Sequence, residues 1–431
     1  MLSELAERYK DTDLGREADA LLAPCVQCGQ CTFRCPTFRL NDDEWEGPRG
    51  RIHLIKKFFE GEEPSRELLP PAYTLADLTG KKYGENLQMH LDTCLTCRSC
   101  ETSCPYDVKY GRLLDIARIE VEKSVPRPLK EKLMRKLVRI FVTNQARFTT
   151  LLQAGRMLRG LLPTGVRTAI PAPRKAGVWP MREHDRTMII WQGCVQPALA
   201  PDINAATARV LDRFGIKLIP ASDGCCGAIS LHMAEPEESR NFMRKNIDAL
   251  WPHIEGGAEA LVLTASGCGT HFRDYGDLLA DEPEYAQKAR RVSEITRDVA
   301  EIVEQEWTDN NVGEITRPEN VRRIAFQSSC SLQHGEKLNG VVEKILKRAQ
   351  FKLVPVNYRF MCCGAAGAFA ILQRPLSKVL RTAKMKTLLA SDPEMIATAN
   401  IGCLTHLSET SPIPVDHWIE VLDETFTSSG L

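Results

Sequence analysis

Two cysteine strings near the start of the chain limit its fold more than anything else in it. They read Cys25-x2-Cys28-x2-Cys31-x3-Cys35-Pro36 and Cys94-x2-Cys97-x2-Cys100-x3-Cys104-Pro105. A [4Fe–4S] cubane offers four iron corners to thiolates. Three cysteines spaced by two residues wrap a short loop around three corners. The fourth, followed by proline, leaves that loop for the neighbouring cluster. The spacing therefore predicts that Cys25, Cys28, Cys31 and Cys104 hold one cluster, and that Cys94, Cys97, Cys100 and Cys35 hold the other. Paired CxxC steps also suit tetrahedral zinc, but the third CxxC step and the Cys-Pro pair fit it poorly.

The segment between the strings predicts a helix within 47–61, with Ile52, Ile55 and Phe59 at helical spacing. Gly111–Val121 reads the same way through Leu113, Leu114, Ala117 and Val121. A compact ferredoxin would place short strands here. The expectation is a mostly helical, ferredoxin-like two-[4Fe–4S] domain over 1–120.

The other eight cysteines form a repeat. Cys194, Cys225-Cys226-Gly227 and Cys268 recur as Cys330, Cys362-Cys363-Gly364 and Cys403, and NAATARVLDRFGIKLIP aligns with NGVVEKILKRAQFKLVP. Each copy predicts a strand before its first cysteine (187–191; 324–327), then a helix and a second strand (216–219; 351–356). The Cys-Cys-Gly turn follows, then a longer helix (235–255; 375–389) and a last strand (260–264; 395–399). Strands alternating with helices mean a parallel α/β sheet. The cysteines fall at the carboxyl ends of strands, the rim where ligands collect. His271 and His406 stand three residues after the last cysteine of each copy, and His334 four after Cys330. Adjacent cysteines cannot both bond one metal ion without strain. They can bridge different irons, form a thiol pair, or serve as buried small residues. A third metal site is therefore predicted from Cys194, Cys225, Cys226, Cys268 and His271, and from Cys330, Cys362, Cys363, Cys403 and His406, with a cluster or zinc as its content. The fold class is α+β multidomain: the helical domain, a basic helical linker over 121–185, and α/β repeats over 186–312 and 313–431.

Composition sharpens this. All 16 cysteines of the 431 residues belong to these groups. The N-terminus lacks an apolar signal-peptide core and no apolar run could span a membrane. Both point to a reducing, cytoplasmic setting where clustered cysteines mean metal or redox chemistry. Fifty-six basic and 56 acidic residues cancel, which argues against a nucleic-acid partner. The zero is a sum, however. Pro126–Arg182 holds thirteen basic residues and one acid, Glu131. Within it Leu129–Phe141 is amphipathic, with Leu133, Leu137, Ile140 and Phe141 on one face. Such a helix suits an anionic membrane or an acidic partner, or is a solvated linker. Leu161–Pro180, rich in proline and glycine, reads as the link into the first repeat. There is no GxGxxG unit after a strand, no P-loop and no CxxCH haem site, so a partner must supply the hydride acceptor.

The segments CVQCGQCTFRCPTF, GPRGRIHLIK, CLTCRSCETSCP, NAATARVLDRFGI, ASGCG, LQHGEKLNG and ANIGC resemble the iron–sulfur subunit of bacterial glycolate oxidase, also called glycolate dehydrogenase, along essentially the whole chain. The resemblance implies an oxidoreductase complex with flavoprotein subunits, FAD being carried on those partners only. It implies oxidation of glycolate to glyoxylate, often also of D-lactate to pyruvate. Electrons would pass from the flavin through two cubanes to a membrane quinone or other acceptor, on the cytoplasmic face of the inner membrane. Heterodisulfide-reductase-type Cys-Cys-Gly domains end in CxxC and can hold a noncubane cluster. Here His271 and His406 stand at the second cysteine's place, leaving a histidine-ligated cluster, a zinc or a metal-free module open. The competing readings are an iron–sulfur subunit for lactate, glycerol-3-phosphate or heterodisulfide chemistry, and a scaffold whose repeats only dock the flavoprotein.

Overall fold

A computed structural model describes residues 4–61, 83–161, 163, 167, 170–221, 224–309 and 322–428. Among these, residues 4–124 contain helices and turns but no strand. Helices Asp13–Leu22, Pro48–Glu60, Tyr83–Asp92 and Tyr110–Ser124 enclose a core of Leu22, Ile55, Phe59, Leu87, Leu91, Leu113, Leu114 and Ala117. The local signals are explicit. Thr12 caps the first helix by accepting from Gly15 N at 3.0 Å. Pro48 opens the second, and Gly61, at φ 73°, closes it in the left-handed region. The expected buried face, Ile52, Ile55 and Phe59, is the observed one.

The repeats follow as two parallel sheets of identical order. Strands β1 (Arg186–Ile190), β2 (Ile216–Pro220), β3 (Leu261–Leu263) and β4 (Thr296–Asp298) lie in the order β2-β1-β3-β4. Strands β5 (Arg323–Gln327), β6 (Lys352–Leu353), β7 (Met395–Thr398) and β8 (Val415–His417) lie in the order β6-β5-β7-β8. Two differences from expectation have simple causes. The strand expected over 351–356 pairs only at Lys352 and Leu353. Each sheet also gains a fourth strand beyond the last cysteine. β4 and β8 are three polar-rich residues each, too short to show a period.

The repeats share one core. Met188, Ile190, Ile203 and Val262 of the first pack with Ile324, Phe326, Ile345 and Trp418 of the second. The exchange is reciprocal. Helix Asp202–Asp212 of repeat 1 meets helix Trp418–Ser428 of repeat 2, where Arg209 and Arg213 both reach Asp423 at 2.8 and 2.9 Å. Helix Val341–Arg348 of repeat 2 meets helix Val299–Asp309 of repeat 1 through Lys344–Glu304 and Arg348 over the Trp307 ring.

Helices Leu129–Val142 and Gln145–Met157 lie between the two parts. Part of the basic segment's charge is neutralised within the protein. Arg127 pairs with Asp92 and Glu122 at 2.5 Å and also with Glu131. Arg135 is buried 3.6 Å from Asp92, and Arg139 pairs with Glu235 and Glu238. The exposed side instead carries Leu129, Leu133, Met134 and Leu137 beside Lys130, Lys132 and Lys136.

Candidate electron-transfer centre

Each cysteine string coils through the same backbone path. Gln27 and Thr96, the residues before the second cysteines, sit at φ 58° and 52°, and Gly29 and Arg98, just after them, at 79° and 55°. Left-handed residues at matching positions turn the loop inward around a centre. For Gln27, Thr96 and Arg98 that conformation is strained, a cost that functional loops often carry. Gly29 leaves room for Arg49, whose guanidinium a Cβ there would meet at 2.8 Å.

The fourth cysteine of each string lies near the other string. Burial, reinforced by the thiols of Cys25, Cys104 and Cys28, pushes the Cys31 thiol up to about 11. Cys25, Cys28, Cys31 and Cys104 line one small cavity, whose wall Cys100 also reaches. Burial likewise pushes Cys100 well up, with Cys97, Glu101, Cys94 and Cys35 adding to it. The two quartets named from the spacing are thus each gathered by the fold. Raised thiols are protonated without metal and are deprotonated as metal binds. These donor sets fit a cubane. Four thiols per set match the four iron corners that a cubane offers.

Buried cations surround the second quartet, and spacing gave no hint of them. Arg51 donates to His90 O at 2.7 Å, Thr37 Oγ1 at 3.2 Å and Glu46 Oε2 at 2.6 Å, with Cys35 Sγ 3.9 Å away. Glu46 also bonds His90 Nδ1 at 2.8 Å, and the His90 and Arg51 contacts hold its carboxyl below its usual range against burial. Arg118 donates to Leu91 O at 2.8 Å and Cys94 O at 3.0 Å. Anionic clusters need such donors. Only the GPRGRIHLIK segment contained a clue, because Arg51 lies on the inward face of its helix.

All eight repeat cysteines line one cavity of about 1610 Å³, which also reaches Cys94 and Cys97. Within each repeat the sulfurs run in a chain, the adjacent pair meeting each other as well as one outer cysteine each. Cys362 lies 3.8 Å from Cys330, while Cys363 lies 3.2 Å from Cys403. In repeat 1 Cys225 interacts with Cys194, and Cys226 with Cys268. In both copies the second cysteine of the pair, Cys226 or Cys363, is drawn well below an ordinary thiol by its two sulfur neighbours. Gly227 and Gly364, at φ 100° and 92°, make the turn, and a Cβ on either would press on Ser239 or Ser377. His271 and His406 point Nε2 at these glycines. Burial keeps both rings below their usual range. His406 Nε2 lies 3.2 Å from Ser377 Oγ, whereas the buried His271 Nε2 has no partner among the described residues. His334 turns away, held by Thr102 Oγ1 at 2.8 Å and Phe360 O at 3.3 Å.

Comparison with known proteins agrees with this layout. The 4Fe-4S dicluster domain matches residues 21–108, and the Cysteine-rich domain matches 188–273 and 324–408. The glycolate oxidase iron-sulfur subunit of Escherichia coli is 44% identical over 98% of this chain and 99% of its own. A probable glycolate oxidase iron-sulfur subunit of Bacillus subtilis is 27% identical over 94% of this chain and 92% of its own. A hypothetical protein of Helicobacter pylori shares the fold at 10% identity and a TM-score of 0.56, over 98% of this chain and 75% of its own. Two cysteine strings in a dicluster domain, a duplicated Cys-Cys-Gly sheet and full-length identity place the chain in the family of glycolate oxidase iron–sulfur subunits.

Proposed function

We propose that this chain carries electrons within a flavin-dependent glycolate dehydrogenase complex that also accepts D-lactate. Cys25, Cys28, Cys31 and Cys104 hold one [4Fe–4S] cluster, and Cys94, Cys97, Cys100 and Cys35 the other. The clusters supply one-electron steps, and the chain's own residues set their surroundings. Arg51 and Arg118 stabilise added negative charge at the second quartet. Flavoprotein subunits bearing FAD oxidise the hydroxy acid, and a membrane quinone takes the electrons. The Cys-Cys-Gly cysteines form a further cluster or zinc site. The observation that carries the reading is the nearness of Cys104 to Cys31 and of Cys35 to Cys100.

The complex sits on the cytoplasmic face of the inner membrane as a peripheral assembly. The exposed ridge of Leu129, Leu133 and Leu137, flanked by lysines, supports this. No described helix is long and apolar enough to cross a membrane.

Cys28→Ser and Cys97→Ser should each abolish acceptor reduction by the whole complex while glycolate still reduces the flavin. Anaerobically purified protein should hold about eight irons for its two cubanes. Zinc without labile sulfide, or acceptor reduction that survives either substitution, overturns the proposal. For the ridge, Leu133→Glu should release the complex from anionic vesicles at lower salt. Unchanged release removes the membrane role.

A further inference from the structure

The cavity of about 1610 Å³ between the first domain and the repeats exceeds the roughly 300–1,000 Å³ of an ordinary ligand pocket, so it has room beside its cysteines. Its lining is largely apolar, with Leu21, Ile229, Leu231 and Leu278 among the contributors. Cys94 and Cys97 form part of the same wall. A ligand in this space therefore lies beside the second cysteine quartet, a source of single electrons.

The wall also holds a histidine and a carboxylate in contact. His232 ends helix Ala228–His232 of repeat 1, and its Nδ1 lies 2.9 Å from Asp115 Oδ1 on helix Tyr110–Ser124 of the first domain. Asp115 is buried and His232 is partly exposed. His232 Nε2 bonds to no described residue. Against burial, the His232 and Arg118 contacts hold the Asp115 carboxyl below its usual range. An ionised aspartate fixes the ring's orientation and favours its protonated form. The neighbouring cations are already matched, Arg98 by Asp274 and Arg112 by Glu17 at 2.6 Å. Arg118 lies 4.0 Å from Asp115 and donates to Cys94 O and Thr96 Oγ1, each at 3.0 Å. One side chain thus joins the Asp115–His232 pair to the second cysteine string.

The rim adds a third element. Pro128, Lys130 and Met134 line the cavity and are exposed. Lys130 and Met134 belong to helix Leu129–Val142, whose exposed ridge carries Leu133 and Leu137. Arg139 of that helix pairs with Glu235, three residues after His232, so helix and histidine are neighbours. An apolar wall, an electron source and a proton source suit a flat apolar ring that takes up both electrons and protons, which is the chemistry of a quinone.

We propose that this cavity binds a quinone ring, reduced from the second cysteine quartet and protonated by His232, with Asp115 as the positioning carboxylate. This rests on the two-cubane and quinone-acceptor readings above. The quinone gains two electrons, one at a time, from the centre held by Cys94, Cys97, Cys100 and Cys35. It gains two protons through His232 Nε2, so both carbonyl oxygens end as hydroxyls. Flavin electrons replace those lost, and water at the rim returns each proton to the ring.

The test assays the whole complex with glycolate and either a short-chain ubiquinone or ferricyanide, which takes one electron and no proton. His232→Gln should lower the rate with quinone about a hundredfold relative to the rate with ferricyanide. Asp115→Asn should lower the same ratio at least about tenfold. A purely structural tie between the domains would lower both rates together. That outcome, or an unchanged ratio, overturns the proposal. Binding is read without turnover. A photoreactive azidoquinone should label peptides from 128–142 and 228–233 in the oxidised complex. Met134→Trp, at an exposed position of the rim, should cut that labelling several-fold. Labelling only elsewhere, or labelling that Met134→Trp leaves intact, overturns the site. If the underlying readings fail instead, the unmodified complex reduces ferricyanide but no quinone, or Cys97→Ser slows neither acceptor, and the proposal falls with them. A misplaced site leaves both of those controls intact.

Discussion

The two repeats share strand order, cysteine positions and a glycine turn, yet differ where a side chain looks inward. Asn246 and Lys384, both buried and in register when Ser239 and Ser377 are aligned, are one such pair. Asp298 and His417 are another, each ending its fourth strand and each with its backbone N–H capped by a glutamate three residues on, Glu301 or Glu420. Burial and the neighbouring Glu301 raise the Asp298 carboxyl to about 7. Burial lowers the His417 ring to about 4. The apolar positions correspond because they fill one shared core, whereas buried polar positions differ where each finds its own local partner.

The comparison breaks most severely at the shared core. Trp418 is fully buried among residues of both repeats. Trp418→Ala should cost about 3–5 kcal/mol and lower both repeats in a single denaturant transition. Two separated transitions would mean that the repeats are independent domains.

Asn246→Lys puts repeat 2's cation into repeat 1. Losing the Asn246 hydrogen bonds while burying a charge should cost roughly 3 kcal/mol in chemical denaturation. A stability equal to that of the unmodified chain would show that the lowered Cys226 thiol compensates the cation.

His417 joins the repeats, its Nε2–H donating to Thr264 O at 3.0 Å. Its folded-state pKa of about 4 lies below the usual 6.5. The neutral ring's contribution is therefore complete above about pH 6.5 and is lost as pH falls toward 4, roughly 2–3 kcal/mol in all. Thermal melts of His417→Gln should show a shallower decline across that window. An identical pH profile would remove His417 as the cause.

The smallest effect belongs to Lys344–Glu304, an exposed pair between the repeats. Lys344→Ala should cost under about 1 kcal/mol, and less still in high salt.

Much of the candidate site was legible because ligand spacing is a local property. A CxxCxxC loop closes on itself, so the grouping of Cys25, Cys28 and Cys31 followed from the chain alone. The partner quartets followed from the duplication. The repeat register exposed β1, β2, β3, β5 and β7 through apolar runs ending before cysteines. β4 and β8 were not legible, since three residues carry no period and their place is set by pairing with β3 and β7. The basic segment was legible only as charge. Whether Arg135 and Arg139 face water or Asp92 and Glu235 depends on residues far away in sequence.

By itself the sequence determined the grouping of sixteen cysteines into four-membered sets, the duplicated α/β unit and the helical frame of the first domain. Each follows from short-range spacing or from a repeated apolar pattern. Only the tertiary structure decided the surroundings: Arg51 behind Cys35, Cys97 against Cys330, and Lys384 where repeat 1 has Asn246. Burial of a charge is a property of everything packed around it, and no local pattern encodes which distant elements will arrive there.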